Sequence, residues 1–527
     1  MPGIRSPSSV HADGAGLNGG VSHTAPTDAA LVAALRADLT RAGYTADAVR
    51  RVWGPVADAA TGRGLHGPAL RALEVRGDAL AVLCRMLFLG TAASVADVDR
   101  ALPETGARGL AALGLVTVDG DTVTPAVLLR PQDLADAAGT VSWWVVSDLD
   151  EAAVGGALPT GHVLGVGGAS LTLAGLQLST PAERVLDLGT GCGIQALRAR
   201  RAAPQVVATD VSERALRFTE LNAALNGLDG IETRHGSLFE PVAGERFDRV
   251  VSNPPFVITP RVAGVPEYEY RDAGFAGDDL VAAFVSGVGD VLTSGGTAQL
   301  LGNWEYRDGQ DGLERVRGWV AASAVPLDAW IVEREQLDPL SYAELWVRDG
   351  GTVAGSPEYA RLIDAWLDDF AARGVTAIGF GYLLLRRTPI GMPPLARYER
   401  VSQPVAGALG PHLGEALAAW DRLGLLDDEA LAAATVITAS DVTEARHHRP
   451  GEEDPTVIEL RQGGGFARVL DVDPALAALV GASDGDLPVG VLIDAIADLL
   501  GADATALRAD LLPRVRELVF TGFLRVA

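Results

Sequence analysis

The sequence predicts an α/β protein: one mostly parallel sheet flanked on both sides by smaller, mainly helical modules. Three observations predict it. Between residues 184 and 388, short apolar strands alternate with helical stretches, the signature of a parallel sheet. The first of these strands runs into a glycine-rich turn that opens a helix. The stretches before and after carry helical periodicity interrupted by short hairpins.

Strands are expected at 184–188, 205–209, 231–234, 247–252, 297–302, 327–332 and 376–385, with helices near 342–347 and 358–372 inserted before the last one. Upstream, in a region spanning 27–145, Thr27 and Asp28 can cap a helix that aligns Leu31, Leu35 and Leu39. A second helix runs through Leu80, Leu83 and Leu87, and a shorter pair at 95–102 and 107–113 is broken by Pro103. An alternating strand pair at 115–124 turns on Asp119-Gly120, so this module reads as winged-helix-like. The central α/β domain is placed at 150–388, and the Pro-rich run at 389–395 reads as a linker. Residues 396–527 combine helices, a hairpin across 457–470 turning at Gly463-Gly464-Gly465, and a last strand at 523–526, a second winged-helix-like module. Residues 1–26 lack a signal peptide's basic start and apolar run and read as a flexible tail.

With 527 residues, two or three domains are the expectation. A charged share of 21 % against 48 % hydrophobic residues places the chain among ordinary globular proteins. No stretch reaches the roughly 18 uninterrupted apolar residues of a membrane span, so no membrane partner is expected. The net charge of −25 disfavours non-specific binding to phosphate backbones. The sequence contains no lysine, which excludes Schiff-base lysine chemistry and a P-loop lysine. Two cysteines, Cys84 and Cys192, are too few for a disulfide scaffold, and a reducing cytoplasm fits. The eight histidines show no metal-ligand spacing with either cysteine, so no metal is expected.

The strongest local signal is Val185-Leu-Asp187-Leu-Gly189-Thr190-Gly191-Cys-Gly193. Glycines there let the backbone turn tightly and approach a ligand without a Cβ in the way. The amides at the helix start then face that ligand. Asp210 closes the second strand about twenty residues on, where an acid can accept both hydroxyls of a ribose. Dinucleotide sites usually read G-x-G-x-x-G; here the spacing is G-x-G-x-G with Asp187 two residues ahead. That pattern resembles motif I of the class I S-adenosylmethionine-dependent methyltransferases. The resemblance implies a seven-stranded Rossmann-like core, S-adenosyl-L-methionine as cofactor, and Asp187 organising the loop around its methionine end. It also implies an adenine contact at Ser237, where relatives commonly carry an acid, while Leu238 and Phe239 read equally as packing on the adenine face or as core. A serine hydroxyl can accept the adenine amino group without charge.

The fourth strand ends abruptly in Asn253-Pro254-Pro255-Phe256. Two prolines fix φ and remove two backbone donors. What remains is acceptor-rich, the Asn253 side-chain oxygen and the Pro254 carbonyl, and two acceptors suit the two protons of an NH₂ group. Phe256 supplies a flat apolar surface for a planar substrate. Amide and exocyclic amine nitrogens delocalise their lone pair, and holding both N–H groups can aim that lone pair at a methyl donor. Such alignment supplies up to about 7–11 kcal/mol in favourable cases.

Residues 184–300 resemble the HemK/PrmC-type enzymes, which methylate glutamine side chains, and the RNA and DNA amino-methyltransferases that share an Asn-Pro-Pro-aromatic motif. Leu221-Asn222 to Asn226, Tyr268 to Gly274 and Gly277-Asp278-Asp279-Leu280 extend the likeness. HemK-type enzymes typically carry tyrosine at the position of Phe256, whereas phenylalanine is common in ribosomal-RNA methyltransferases. The resemblance therefore implies N-methylation of a protein glutamine, with an adenine or guanine amino group in RNA or DNA as the alternative carrier; a non-catalytic cofactor-binding protein is the alternative of a different class. Among the remaining features, Gly165 to Ser170 reads equally as a gate over the cofactor or an interdomain connection. Trp143 and Trp144 read as packing at a domain junction, and His447 and His448 as solvated.

Overall fold

Strand β1 (Arg184–Leu188) lies inside the sheet and carries the apolar run Val185-Leu186, buried on both faces, as a central parallel strand must be. Around it a computed structural model describes residues 28–136, 139–156, 158–262, 264–266, 274–405 and 407–527. The expected tail at 1–26 and residues 268–273 of the motif-like segment ending at Gly274 lie outside the described residues. The other strands of the main sheet are β2 (Gln205–Asp210), β3 (Ile231–His235), β4 (Phe247–Ser252), β5 (Leu292–Arg307), β6 (Leu327–Leu337), β7 (Val375–Arg387) and β8 (Ala396–Arg400). Their order is β3-β2-β1-β4-β5-β7-β6-β8. β1 to β5 are parallel, β7 runs antiparallel to both β5 and β6, and β8 is parallel to β6.

The sheet thus has eight strands where the sequence predicts seven. β8, Ala-Arg-Tyr-Glu-Arg, sits at an edge and is half-buried at best, so it lacks the apolar run that marks an interior strand. Strand order reverses between β1 and β4, and the crevice outside their carboxyl ends is where open α/β sheets hold ligands. Helices α1 (Gly168–Leu176), α2 (Ile194–Ala199), α3 (Glu213–Leu225), α4 (Asp279–Gly287) and α5 (Gly312–Ala321) accompany the strands. α6 (Pro339–Asp349) and α7 (Pro357–Ala372) are inserted between β6 and β7. Both start on a capping side chain, Asp338 to the Ser341 amide and Ser356 to the Tyr359 amide, with proline at the first helical position. β5 is long because it overshoots its neighbour: Ser252, the last residue of β4, pairs with Leu300. Residues 301–307 continue against β7 alone, forming a ledge above the crevice.

The upstream flank holds helices from Ala29–Arg41 to Gly106–Ala112 and a three-stranded sheet of Ala93–Ser94, Thr122–Pro125 and Val116–Asp119. A further hairpin, Leu128–Asp136 with Gly139–Ser147, was not among the expected elements. The end of its second strand, Trp-Val-Val-Ser, is half-buried to buried without a break, which masks period-two alternation. Its free edge is closed by side chains of α3. Asn222 bonds both the amide and the carbonyl of Val146, and Asn226 does the same for Trp144. An i, i+4 asparagine pair thereby satisfies backbone groups that a sheet edge leaves open.

Downstream, Thr435–Thr438 pairs with Asp484–Pro488 and Leu524–Val526, and Val442–His448, Pro455–Gln462 and Val469–Val472 form a meander. This flank shares a core with the main sheet. Trp330 of β6 is buried, with ring centroids 4.9 Å from Phe520 and 5.7 Å from Phe466. His447 and His448 are exposed, the former 3.3 Å from Glu459. Cys84 and Cys192 are both buried and free. No helix among the described residues is long and apolar enough to cross a membrane.

Candidate functional site

At the carboxyl end of β1 the chain turns through Gly189, Gly191 and Gly193, all at positive φ (73°, 55° and 84°). A Cβ at Gly189 or Gly191 would meet nothing within 4 Å, so the loop borders open space on that side. At Gly193 a Cβ would run into Thr219 of α3. The loop is therefore packed from behind and open in front. Asp187 is fully buried; its Oδ2 accepts from the Thr190 hydroxyl at 2.7 Å, and its Oδ1 has no hydrogen-bond partner among the described residues. Burial pushes its carboxyl up to about 7, partly offset by the Thr190 hydrogen bond. Asp210, half-buried at the end of β2, accepts the Gly191 amide on one oxygen and the Ser212 amide on the other, each at 2.9 Å. α3 locks the back of the loop: Thr219 donates to the Gly191 carbonyl, and Asn222 donates to Cys192 as well as to the flanking hairpin.

The helix after the glycines, α2, has only six residues, so it contributes little dipole. Recognition here falls to the two acids and the open backbone. An unpartnered buried carboxylate oxygen, a second acid and a loop bare of side chains at Gly189 and Gly191 fit a ligand with a cationic end and a vicinal diol. S-adenosylmethionine has both.

Beyond β3, Ser237 is exposed and Leu238 is half-buried with φ at +46°, a left-handed backbone costing roughly 1–2 kcal/mol in a side-chain-bearing residue. Such outliers gather at ligand clamps. Phe239 instead packs on Phe284 of α4, centroids 5.5 Å apart.

On the other side of the switch point, Ser252 donates to the Leu188 carbonyl at 2.8 Å and ties β4 to the glycine loop's strand. Asn253 follows at the strand's end. Its Nδ2 lies 3.5 Å from the Ser170 hydroxyl, while its buried Oδ1 has no hydrogen-bond partner among the described residues. Pro254 is buried and Pro255 half-buried. Phe256 is half-buried with its ring 5.6 Å from that of Phe380 on β7, so it is one of an aromatic pair and not an isolated platform. The stretch from Gly165 does not form a free gate along its whole length. Ser170 lies in the first turn of α1, and its carbonyl accepts from Gln195, whose side chain is held by Gln177. The structure thus brings Asp187, Gly189, Thr190, Gly191, Gly193, Asp210 and Asn253 around one pair of strand ends. Ser170 ends the glycine-rich segment singled out in the sequence, but its contact with Asn253 was not foreseen; Phe380 has nothing adjacent to it in the chain that marks it. No group of three or more His, Cys, Asp or Glu side chains placed to hold a metal occurs among the described residues.

Known proteins match parts of this chain. The methyltransferase small domain matches residues 167–265, and a domain of unknown function, DUF7059, matches residues 41–126. A release factor glutamine methyltransferase of Xylella fastidiosa is 35 % identical over 151 residues, 27 % of this chain and 55 % of its own. One from Deinococcus radiodurans is 40 % identical over 125 residues, 22 % of this chain and 44 % of its own. A ribosomal protein uL3 glutamine methyltransferase of Bradyrhizobium diazoefficiens is 37 % identical over 127 residues, 22 % and 40 % of the two chains. The chain spans about half the length of the curated relatives it matches. Residues 167–265, which hold the glycine loop, both acids and the Asn-Pro-Pro-Phe loop, match the methyltransferase small domain and are where the chain resembles these glutamine methyltransferases.

Proposed function

We propose that the chain is an S-adenosylmethionine-dependent N-methyltransferase acting on a planar amide nitrogen, most simply a glutamine side chain of a protein. The observation that carries this reading is Asn253 Oδ1, a buried acceptor beside the switch point without a partner among the described residues. A buried acceptor left unsatisfied costs about 1–3 kcal/mol; a substrate N–H removes that cost. Ser170 faces the amide end of Asn253 and so favours presenting its oxygen to the substrate. Pro254 and Pro255 hold the loop extended, and Phe256 with Phe380 offers apolar surface to the flat substrate. Asp210 suits the ribose hydroxyls, Gly189, Gly191 and Gly193 the close backbone approach, and Asp187 with Thr190 the methionine end. Ser237 and Leu238, just beyond β3, suit the adenine, the hydroxyl as an acceptor and the strained Leu238 backbone as part of a clamp. When bound, the cofactor supplies an electrophilic sulfonium methyl whose departure needs no metal. The residues of this chain align the nitrogen; neither neutral acceptor of the loop is a base, so the proton displaced from the nitrogen on methylation passes to solvent water.

The Phe256–Phe380 pair favours a second reading, in which a nucleobase stacks there and its amino group is methylated. We take the flank at 27–145 and the chain after β8 as winged-helix-like modules that present a macromolecular substrate; β8 carries the central domain past the expected boundary at 388. A cytoplasmic setting suits two free cysteines. Calorimetric titration with S-adenosylmethionine separates an enzyme from a fold kept for other uses: no binding at millimolar cofactor refutes the proposal. Incubating lysate with tritiated cofactor and the full chain then identifies the carrier. Label released by protease supports the amide reading, and label released by nuclease supports the base.

A further inference from the structure

The Asn-Pro-Pro-Phe loop is held from behind by a side chain of the helical insert. Tyr342, in the first turn of α6, is 3 % exposed, and its hydroxyl accepts the Ile258 amide at 3.0 Å and the Asn303 Nδ2 at 2.5 Å. Its ring is wedged against Trp346, Trp366 and Phe370, with centroids 6.0–6.1 Å away, so the hydroxyl has little freedom to move. Ile258 lies five residues beyond Asn253, and Val257 and Ile258 are buried in the same aromatic cluster. Pro254 and Pro255 fix two φ angles of the intervening backbone, and Val257 is pinned by its burial in the cluster. A tether at Ile258 is therefore felt at Asn253. Asn303 lies on the part of β5 that overshoots the sheet, so ledge, insert and loop meet at one hydroxyl.

We infer that Tyr342 is a positioning residue for methyl transfer, and that the α6–α7 insert is part of the reaction site through it. The inference rests on the proposed methyltransferase activity. In-line displacement is sensitive to placement: a displacement of about 1 Å can cost about a hundredfold in rate. Tyr342 touches neither cofactor nor substrate in this account. It sets where the Asn253 carbonyl stands, so losing its hydroxyl lowers turnover and spares cofactor binding.

The test compares the full-length chain with Tyr342→Phe, which keeps the ring, and Trp366→Phe, which loosens the same cluster without touching the loop amide. Deuterium exchange at Ile258 is expected to quicken about tenfold in Tyr342→Phe only. With a fixed lysate protein fraction as acceptor and S-adenosylmethionine varied, the apparent Vmax of Tyr342→Phe is expected to fall about ten- to a hundredfold. Its cofactor KM stays within about twofold. The inference is overturned if Vmax stays within twofold of wild type, or if Trp366→Phe loses as much Vmax at equal melting temperature. Wild-type chain that binds cofactor and transfers no label refutes the proposed activity instead; the exchange comparison still decides the tether, and unchanged exchange at Ile258 overturns it.

Discussion

The cofactor side of the crevice is written in one short stretch of chain, whereas the acceptor side is assembled from distant ones. Asp187, the three glycines and Asp210 lie within one strand–loop–helix–strand unit, and their contacts run largely among themselves and to the adjacent α3. Asn253 and its loop depend on Ser170 from before the sheet, Phe380 from its antiparallel strand and Tyr342 from the insert. The first kind of site can be carried intact between proteins by a motif. The second kind is free to change with the substrate, because each supporting residue sits on a separate element.

The largest expected effect tests the acceptor side. Asn253→Ala should lower transfer by about a thousandfold or more while cofactor affinity stays within about tenfold, the pattern of an interaction used in the transition state. Kinetics and calorimetry on the same preparation measure both. Asp210→Ala should do the reverse. Losing charge-assisted hydrogen bonds of about 1.5–3 kcal/mol weakens cofactor binding about ten- to a hundredfold, with rates near wild type at saturating cofactor. If either variant moves both quantities equally, the division between the two sides is wrong.

Asp187 gives a prediction in pH. Its carboxyl is raised from 3.8 in the unfolded chain to about 7 by burial, so the folded state holds the proton more tightly. The stability contributed by that protonated acid is complete below about 4 and is lost as pH rises through about 7. A cationic ligand favours the carboxylate. Cofactor affinity should therefore rise between about pH 5 and 8, with proton release near pH 6. Titrations in two buffers of different ionisation enthalpy measure it, and Asp187→Asn should abolish it; wild-type binding without proton release contradicts the assignment. The smallest effect belongs to Ser170→Ala. A contact of 3.5 Å is a weak hydrogen bond, so a three- to tenfold loss of rate with unchanged cofactor affinity is expected.

The same contrast explains what could be read from the chain. β1 and β4 span the residues expected of them, 184–188 and 247–252, since the apolar pairs Val185-Leu186 and Val250-Val251 mark the centres of buried parallel strands. The glycines and Asp210 were legible because local backbone geometry demands those residue types at those spacings. β8 was not, because an edge strand with alternating charge resembles a loop. The hairpin at Leu128–Asp136 and Gly139–Ser147 was not, because its edge is satisfied by Asn222 and Asn226 from another element. Ser170, Tyr342 and Phe380 act only through tertiary contact, which no single stretch of sequence displays.

The central claim is that this crevice methylates an amide nitrogen. The direct measurement incubates the full chain with methyl-labelled S-adenosylmethionine and cellular protein, then hydrolyses the product in strong acid. A methylated glutamine amide releases its label as volatile methylamine, and that is the expected result. Label retained on a nucleobase, or on an amino acid that survives hydrolysis, would contradict it.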